Sequence, residues 1–571
     1  MRQDVVVRYQ RAEDPLPERM AAWTLTGAGW EYLGQGDGPA YIPVPPVGPE
    51  DLLARVDACS LCFSDLKVLR AGGAHPRLYG RDLQKEPVIL GHEVALTIAR
   101  VGSRLRDQFR IGQRFTLQPD VFYGGRGLAY GYVLGGGLAG YSVIGREILH
   151  GDEGCYLLPL RAEDGYAETA LAEPWACIEA SCRLQYRDRP KAGGRLWVLG
   201  NGGTLSEAGW RWLALAGPAV ALLSDLSSDQ CEQGRAILRG LGVVVQESDV
   251  GEVAEGSCDD IIILGVARPA AIEWGQRAGA RGAVICILAE QPLTRTVQVD
   301  VGRIHYERHL FVGADSGSIE SAYRPPRSEF LPGGRALVVG AAGAMGQMWI
   351  QRALEMAQGP AQLLAVNFSS DRADALWQRQ NLIAQARDVQ FGALRRDGRT
   401  LDDYHAEALR RLGGPADDIV LLAPTTVAVT ESLPLLAARG SLNIFAGLPR
   451  GALAPLDLSG VYLRGQRLVG ASGSSLSDLR FTLDKVQRGE LQTRYSVAAV
   501  GGMEAAKAGL RALAERRFPG KVVIYPHLRG LPLTALTELG GIAPAVHAQL
   551  EDGAIWTRAA EIALLQTFLY R

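Results

Sequence analysis

Gly193-Gly194-Arg195-Leu196-Trp197-Val198-Leu199-Gly200 is a short apolar run fenced by glycines, and Gly333-Gly334-Arg335-Ala336-Leu337-Val338-Val339-Gly340 repeats it 140 residues on. Further landmarks recur in the same order. Asp259-Asp260-Ile261 returns as Asp417-Asp418-Ile419 and Arg281-Gly282 as Arg439-Gly440, both 158 residues on. Val299-Asp300-Val301 returns as Leu456-Asp457-Leu458 and Val312-Gly313-Ala314 as Val469-Gly470-Ala471, both 157 residues on. In the first copy the apolar runs 195–199, 219–223, 260–264 and 283–288 are separated by helix-length segments. Uniformly apolar runs alternating with helices make parallel strands buried on both faces. The reading is an α/β chain with two tandem Rossmann-like doubly wound units, 190–325 and 330–485. The larger later shift makes the second copy longer between its first strand and the rest.

Outward from these units the pattern changes. Residues 1–185 are short β-rich segments broken by Gly and Pro, with strands expected at 52–58, 94–101 and 114–118. The stretch 122–140 is glycine-rich and almost uncharged, and is read as a surface lobe or loop. Residues 490–527 turn β-rich again and are placed as a return segment completing the N-terminal domain. The extension 528–571 carries apolar residues at helical spacing and is expected to pack on the surface.

At 571 residues the chain is long enough for roughly three to four domains. A net charge of -2 argues against nucleic acid and anionic membranes, which call for a basic excess. The charged N-terminus has no apolar core of a signal peptide, and no run of 18 apolar residues exists. Eight scattered cysteines do not form a disulfide framework. A cytoplasmic protein is expected.

Chemistry concentrates in Cys62-Phe63-Ser64-Asp65, followed by Gly91-His92-Glu93. A thiolate, an imidazole and a carboxylate are zinc ligands, and a catalytic zinc keeps one position open. Cys62 and His92 are the proposed ligands, Asp65 the group that orients the His92 ring, and Glu173 a further carboxylate. In the second unit Gly340-Ala341-Ala342-Gly343-Ala344-Met345-Gly346 follows a strand and opens a helix, the setting in which a pyrophosphate sits on a helix N-terminus. The ribose position there is Asn367, with Arg372 available to a 2′-phosphate. In the first unit Leu205 stands where a third glycine belongs, which suggests a copy that has lost its ligand. Against that, Asp225 ends the second strand, where an acid can hold a ribose hydroxyl. The coenzyme, NAD or NADP, therefore stays open.

Cys62-Phe63-Ser64-Asp65-Leu66, Gly91-His92-Glu93, Val101-Gly102, Gly137-Leu138-Ala139-Gly140-Tyr141, Ala172-Glu173-Pro174 and Gly520-Lys521-Val522-Val523 together resemble the zinc-containing medium-chain dehydrogenases, above all the polyol branch. With two tandem units the whole is most similar to long zinc dehydrogenases of the sorbose-1-phosphate reductase type. The resemblance implies a GroES-like catalytic domain, zinc held by Cys62, His92 and Glu93 or Glu173, and Ser64 as the hydroxyl relaying the substrate proton. Lys67 stands where many relatives have a relay histidine. Residues 94–154 contain no cysteine, so one catalytic zinc and no structural zinc are expected. The implied reaction passes a hydride between an alcohol or sugar and NAD(P) in a homo-oligomer. A phosphorylated substrate would need Lys67, Arg70 and Arg77 near the metal. The alternative is a dehydrogenase fold without catalysis, serving as a binding or assembly subunit.

Overall fold

A computed structural model describes residues 2–315, 318–367, 380–381, 384–385 and 387–569. The chain divides into two compact units, one of Met1–Glu179, Gly343–Met348 and Gly473–Arg571, the other of Ala180–Ala342 and Trp349–Ser472.

The first unit is built on an eight-stranded sheet. Its central strand Leu52–Ser60 pairs with Glu93–Val101 on one side and Lys521–Tyr525 on the other. All nine residues of Leu52–Ser60 are buried, including Arg55 and Asp57, which neutralise each other at 2.7 Å. Burying two charges is costly unless they are paired and hydrogen-bonded, and Thr97 Oγ1 donates the remaining bond to Asp57 Oδ2. The return segment is less purely β than its sequence reads. Helix Ala506–Ala514 lies between strands Val497–Gly502 and Lys521–Tyr525, burying Ala506, Gly509, Leu510 and Ala512 at helical spacing. The stretch 122–140 is not simply a surface lobe, because Tyr130, Leu138 and Ala139 are fully buried. Its lack of charge reflects burial.

The C-terminal helix Arg558–Phe568 inserts a buried carboxylate, Glu561, beneath helix Tyr166–Ala170. The backbone N–H groups of Tyr166 and Ala167 each donate to it at 2.8 Å, as does the Tyr525 hydroxyl. An acid at a helix N-terminus satisfies donors that have no partner within the helix. The next helix, Ala172–Ser181, carries Glu173.

The second unit contains a twelve-stranded sheet in which both tandem repeats take part. One half runs Val244–Glu247, Val220–Ser224, Arg195–Gly200, Cys258–Leu264, Gly279–Leu288, Leu310–Ala314. The other continues Arg467–Val469, Leu436–Ile444, Ala416–Leu421, Arg335–Val339, Gln362–Asn367, Gln390–Arg395. Neighbours within each half are parallel, whereas the junction, Phe311 opposite Leu468, is antiparallel. Local bonds repeat as well. Asp260 accepts from Arg187 and the Lys191 N–H, as Asp418 does from Arg327 and the Leu331 N–H. Asp259 and Asp417 each accept from the first residue of the glycine-fenced strand, the N–H of Arg195 and of Arg335, both at 2.9 Å. The recurring Asp-Asp pairs thus tie the start of one strand to its neighbour in both copies.

Candidate active site

Strand Leu52–Ser60 runs into helix Phe63–Ala71, and Cys62 is the residue that caps that helix. Asp65 fixes the turn. Its Oδ2 accepts the Cys62 N–H at 2.9 Å, and its Oδ1 accepts the Gly91 N–H at 3.1 Å. The same Oδ1 lies 3.4 Å from His92 Nδ1, so one carboxylate links the two motifs. Gly91 has φ +91°, and a Cβ there would come within 2.6 Å of Cys59 Sγ and 3.0 Å of the Leu138 backbone. Only glycine lets the chain turn here and deliver His92 and Glu93 to the end of the cap.

Ligand atoms of Cys62, His92 and Glu93 lie within 4.8 Å of one another. His92 and Glu93 are buried and Cys62 is partly exposed, and the Tyr132 ring packs on His92 at 5.8 Å between centroids. Burial opposes protonation of His92, but Asp65 and then Cys62 outweigh it and raise its pKa well above the usual value. The second oxygen of Glu93 is buried without a hydrogen-bond partner. Sulfur, nitrogen and oxygen donors gathered around a buried, unsatisfied carboxylate oxygen fit a zinc ion. The other Glu93 oxygen accepts from Lys521 Nζ at 2.6 Å, so an ammonium already holds part of that carboxylate.

Glu173 stands outside the three-residue cluster yet senses it. Burial pushes its carboxyl up to about 7, the charge of His92 pulls it back, and that of Glu93 adds to the rise. Its Oε1 lies 3.7 Å from Cys177 Sγ, one helical turn on. Burial raises the Cys177 thiol well above the usual value, with Glu173, Asp120 and Cys62 adding to the effect. Lys521, Cys177, Tyr132 and Asp120 are site residues the sequence reading did not single out. Lys521 lay within a quoted motif, and Cys177 was marked only by its spacing of four from Glu173.

Ser64 and Lys67 are one turn apart on helix Phe63–Ala71 and partly exposed. Burial first, then the charges of Arg77 and Lys67, lowers the pKa of His75, whose ring packs on Tyr132 at 5.6 Å. Arg77 lies 5.1 Å over Tyr132 and pairs with Asp120 at 2.7 Å. Arg70 instead covers Phe63. Arg77 therefore lies on the aromatic wall of the site, and the charge of Lys67 reaches His75 beside it.

In the second repeat Gly340 has φ +86°, and a Cβ there would meet the Ala423 N–H nitrogen at 2.7 Å. Helix Ala344–Glu355 follows with no acid in its first turn. Gly343, Ala344 and Met345 reach solvent and Gly346 is buried. Asn367 turns inward, its Oδ1 accepting the Ala342 N–H at 2.6 Å. That bond pins the glycine loop. Arg372 lies outside the described residues.

Asp65→Asn keeps the shape of the cap and removes the charge facing His92. It is expected to weaken zinc binding by roughly 10- to 100-fold, the usual cost of losing an outer partner of a ligating histidine. Competition with a zinc-sensitive dye measures this, and unchanged affinity would remove Asp65 from the metal's support.

Residues 48–151 match the model of the alcohol dehydrogenase GroES-like domain. The chain is 25% identical over 538 residues to the mannitol-1-phosphate 5-dehydrogenase of Aliivibrio fischeri, an alignment covering 92% of this chain and 94% of that protein. It is 31% identical over 145 residues to the L-sorbose 1-phosphate reductase of Klebsiella pneumoniae, covering 25% and 34% respectively. Among solved structures, 2R,3R-butanediol dehydrogenase from Bacillus subtilis shares the fold with a TM-score of 0.51 at 15% identity, covering 89% of this chain and 99% of that one. A GroES-like domain of the alcohol dehydrogenase type, Rossmann-type α/β units and dehydrogenase relatives together support an oxidoreductase. More narrowly, its likeness is to dehydrogenases and reductases of polyol and sugar phosphates. Among the described residues no helix is long and apolar enough to cross a membrane.

Proposed function

We propose that this chain is a zinc-dependent dehydrogenase that passes a hydride between a polyol, sugar alcohol or related secondary alcohol and NAD or NADP. The observation that carries the reading is the meeting of Cys62, His92 and Glu93 within 4.8 Å. Cys62 and His92 would hold the metal, with Glu93 or Glu173 supplying the carboxylate. Bound zinc supplies an electrophile that lowers the pKa of the substrate hydroxyl. Gly340, Gly343, Ala344, Met345 and Gly346 of the second repeat would hold the coenzyme's pyrophosphate, and its nicotinamide would supply the hydride chemistry.

The chain's own groups do the rest. Asp65 and Tyr132 orient the His92 ring, and Lys521 holds one oxygen of Glu93. Ser64 Oγ would accept the substrate's hydroxyl proton as it releases its own to solvent along the helix face that carries Lys67. Lys67 and Arg77 place positive charge beside the aromatic wall, where it suits the phosphate of a hexitol 1-phosphate. The names of the Aliivibrio and Klebsiella relatives point to the same substrate class.

The test uses one preparation. Zinc is quantified by mass spectrometry, and reduction of NAD and NADP is followed with free hexitols and their 1-phosphates. About one zinc per chain and metal-dependent coenzyme reduction are expected. A metal-free protein that reduces neither coenzyme would sink the reading in favour of a binding or assembly subunit.

A further inference from the structure

The junction of the twelve-stranded sheet has a symmetry that the spacing of the repeats makes explicit. Phe311 pairs with Leu468, its own counterpart 157 residues on. The antiparallel ribbon formed by Val297–Asp300 and Leu453–Leu456 obeys the same rule. Gln298 faces Pro455, again its counterpart 157 residues on, while Val297 faces Leu456 and Val299 faces Ala454. Residue i meets the counterpart of j, and j meets the counterpart of i. That reciprocity is the signature of an isologous two-fold interface between two copies of one surface. Here both copies lie in one chain.

The first repeat also carries its own occupants where a dinucleotide would bind. The Leu205 N–H donates to Gln230 Oε1 at 2.7 Å, and Leu205 itself is buried. The first turn of helix Glu207–Leu215 carries an acid, Glu207, where a pyrophosphate would need positive potential. Asp225, the candidate ribose acid, is paired with Arg268. Arg268 Nη2 also donates to the Gly200 carbonyl at 3.2 Å, and the Arg268 N–H donates to Asn201 Oδ1 at 2.7 Å. An ion pair as exposed as Asp225–Arg268 is worth only roughly 0–1 kcal/mol, so it would not bar a ligand alone. The closure comes from the filled N–H, the buried Leu205 and the acid on the helix together. In the second repeat the matching helix has no acid in its first turn.

We infer that the first Rossmann-like repeat is a built-in partner subunit: it completes the sheet edge of the second repeat as another copy would, and it binds no dinucleotide. Each chain then takes one coenzyme, at the second repeat. Only the location of that coenzyme rests on the function proposed above.

The test is titration calorimetry of NADH and NADPH into the full-length, zinc-loaded protein and two variants. Met345→Glu sets a carboxylate on the first turn of the second helix, which helix dipoles tolerate and phosphates do not. Thr204→Glu does the same at the exposed loop before the first helix. One site per chain is expected, weakened at least about tenfold by Met345→Glu and unchanged by Thr204→Glu. Two sites per chain, or one site abolished by Thr204→Glu, would overturn the inference. Binding to neither repeat would leave the first closed, as inferred, and would count against the dehydrogenase reading instead.

Discussion

Cys62→Ala and His92→Ala are each expected to yield folded protein that keeps no stoichiometric zinc and loses polyol turnover by more than the roughly 10- to 100-fold that removal of a supporting residue costs. Both side chains come from one small turn. Cys62 caps helix Phe63–Ala71, His92 follows the turn at Gly91, and Asp65 joins the two. Removing either leaves the remaining donors without a third partner of the type zinc requires. The paired measurement is metal content and turnover on the same sample, with circular dichroism to show the fold is intact. The companion variants Glu93→Gln and Glu173→Gln identify the carboxylate. The variant that loses more metal names the carboxylate: Glu93, whose second oxygen is free within the cluster, or Glu173, buried nearby. A Cys62 or His92 variant with full activity and no metal would end the assignment of a zinc centre.

The second large effect concerns stability. Lys521→Met strands the buried Glu93 carboxylate and is expected to destabilise the metal-stripped protein by about 3–5 kcal/mol, the cost of breaking one side of a buried ion pair. Glu93 is 0% and Lys521 4% exposed, so water cannot replace the lost ammonium. Burial opposes the charge on Lys521, but Glu93, followed by Cys62, overrides it and raises the folded pKa. A raised lysine pKa contributes stability that is complete below the unfolded value, about 10.4, and is lost only as pH rises through the folded one. The wild-type contribution is therefore constant across neutral pH. Urea unfolding at pH 7 measures the loss, and Glu93→Gln/Lys521→Met should recover most of it. A single variant within about 1 kcal/mol of wild type would show that the pair is solvated.

The parallel halves of the sheet were legible because buried strands must be apolar throughout, and the glycine-fenced runs at Arg195 and Arg335 announced them. Their antiparallel junction was not, since pairing between Phe311 and Leu468 depends on how two distant segments pack. The metal motifs were legible as donor types. The order of the carboxylates was not, because Glu93 and Glu173 are equally good on paper; the structure sets Glu93 in the cluster with Cys62 and His92 and puts Lys521 on one of its oxygens. The uncharged stretch 122–140 was misread because both exposure of glycine and burial of Tyr130, Leu138 and Ala139 leave a segment without charge. Asn367 sat at the expected strand end but spends its oxygen on the loop, a choice no spacing rule reveals.

In a pair of identical subunits every substitution lands on both sides of the axis at once. Joining the halves in one polypeptide removes that constraint, and the ribbon has already diverged: glutamine 298 looks across at proline 455, which has no N–H to give. One half is thus free to keep the demands of chemistry while the other drifts toward scaffolding.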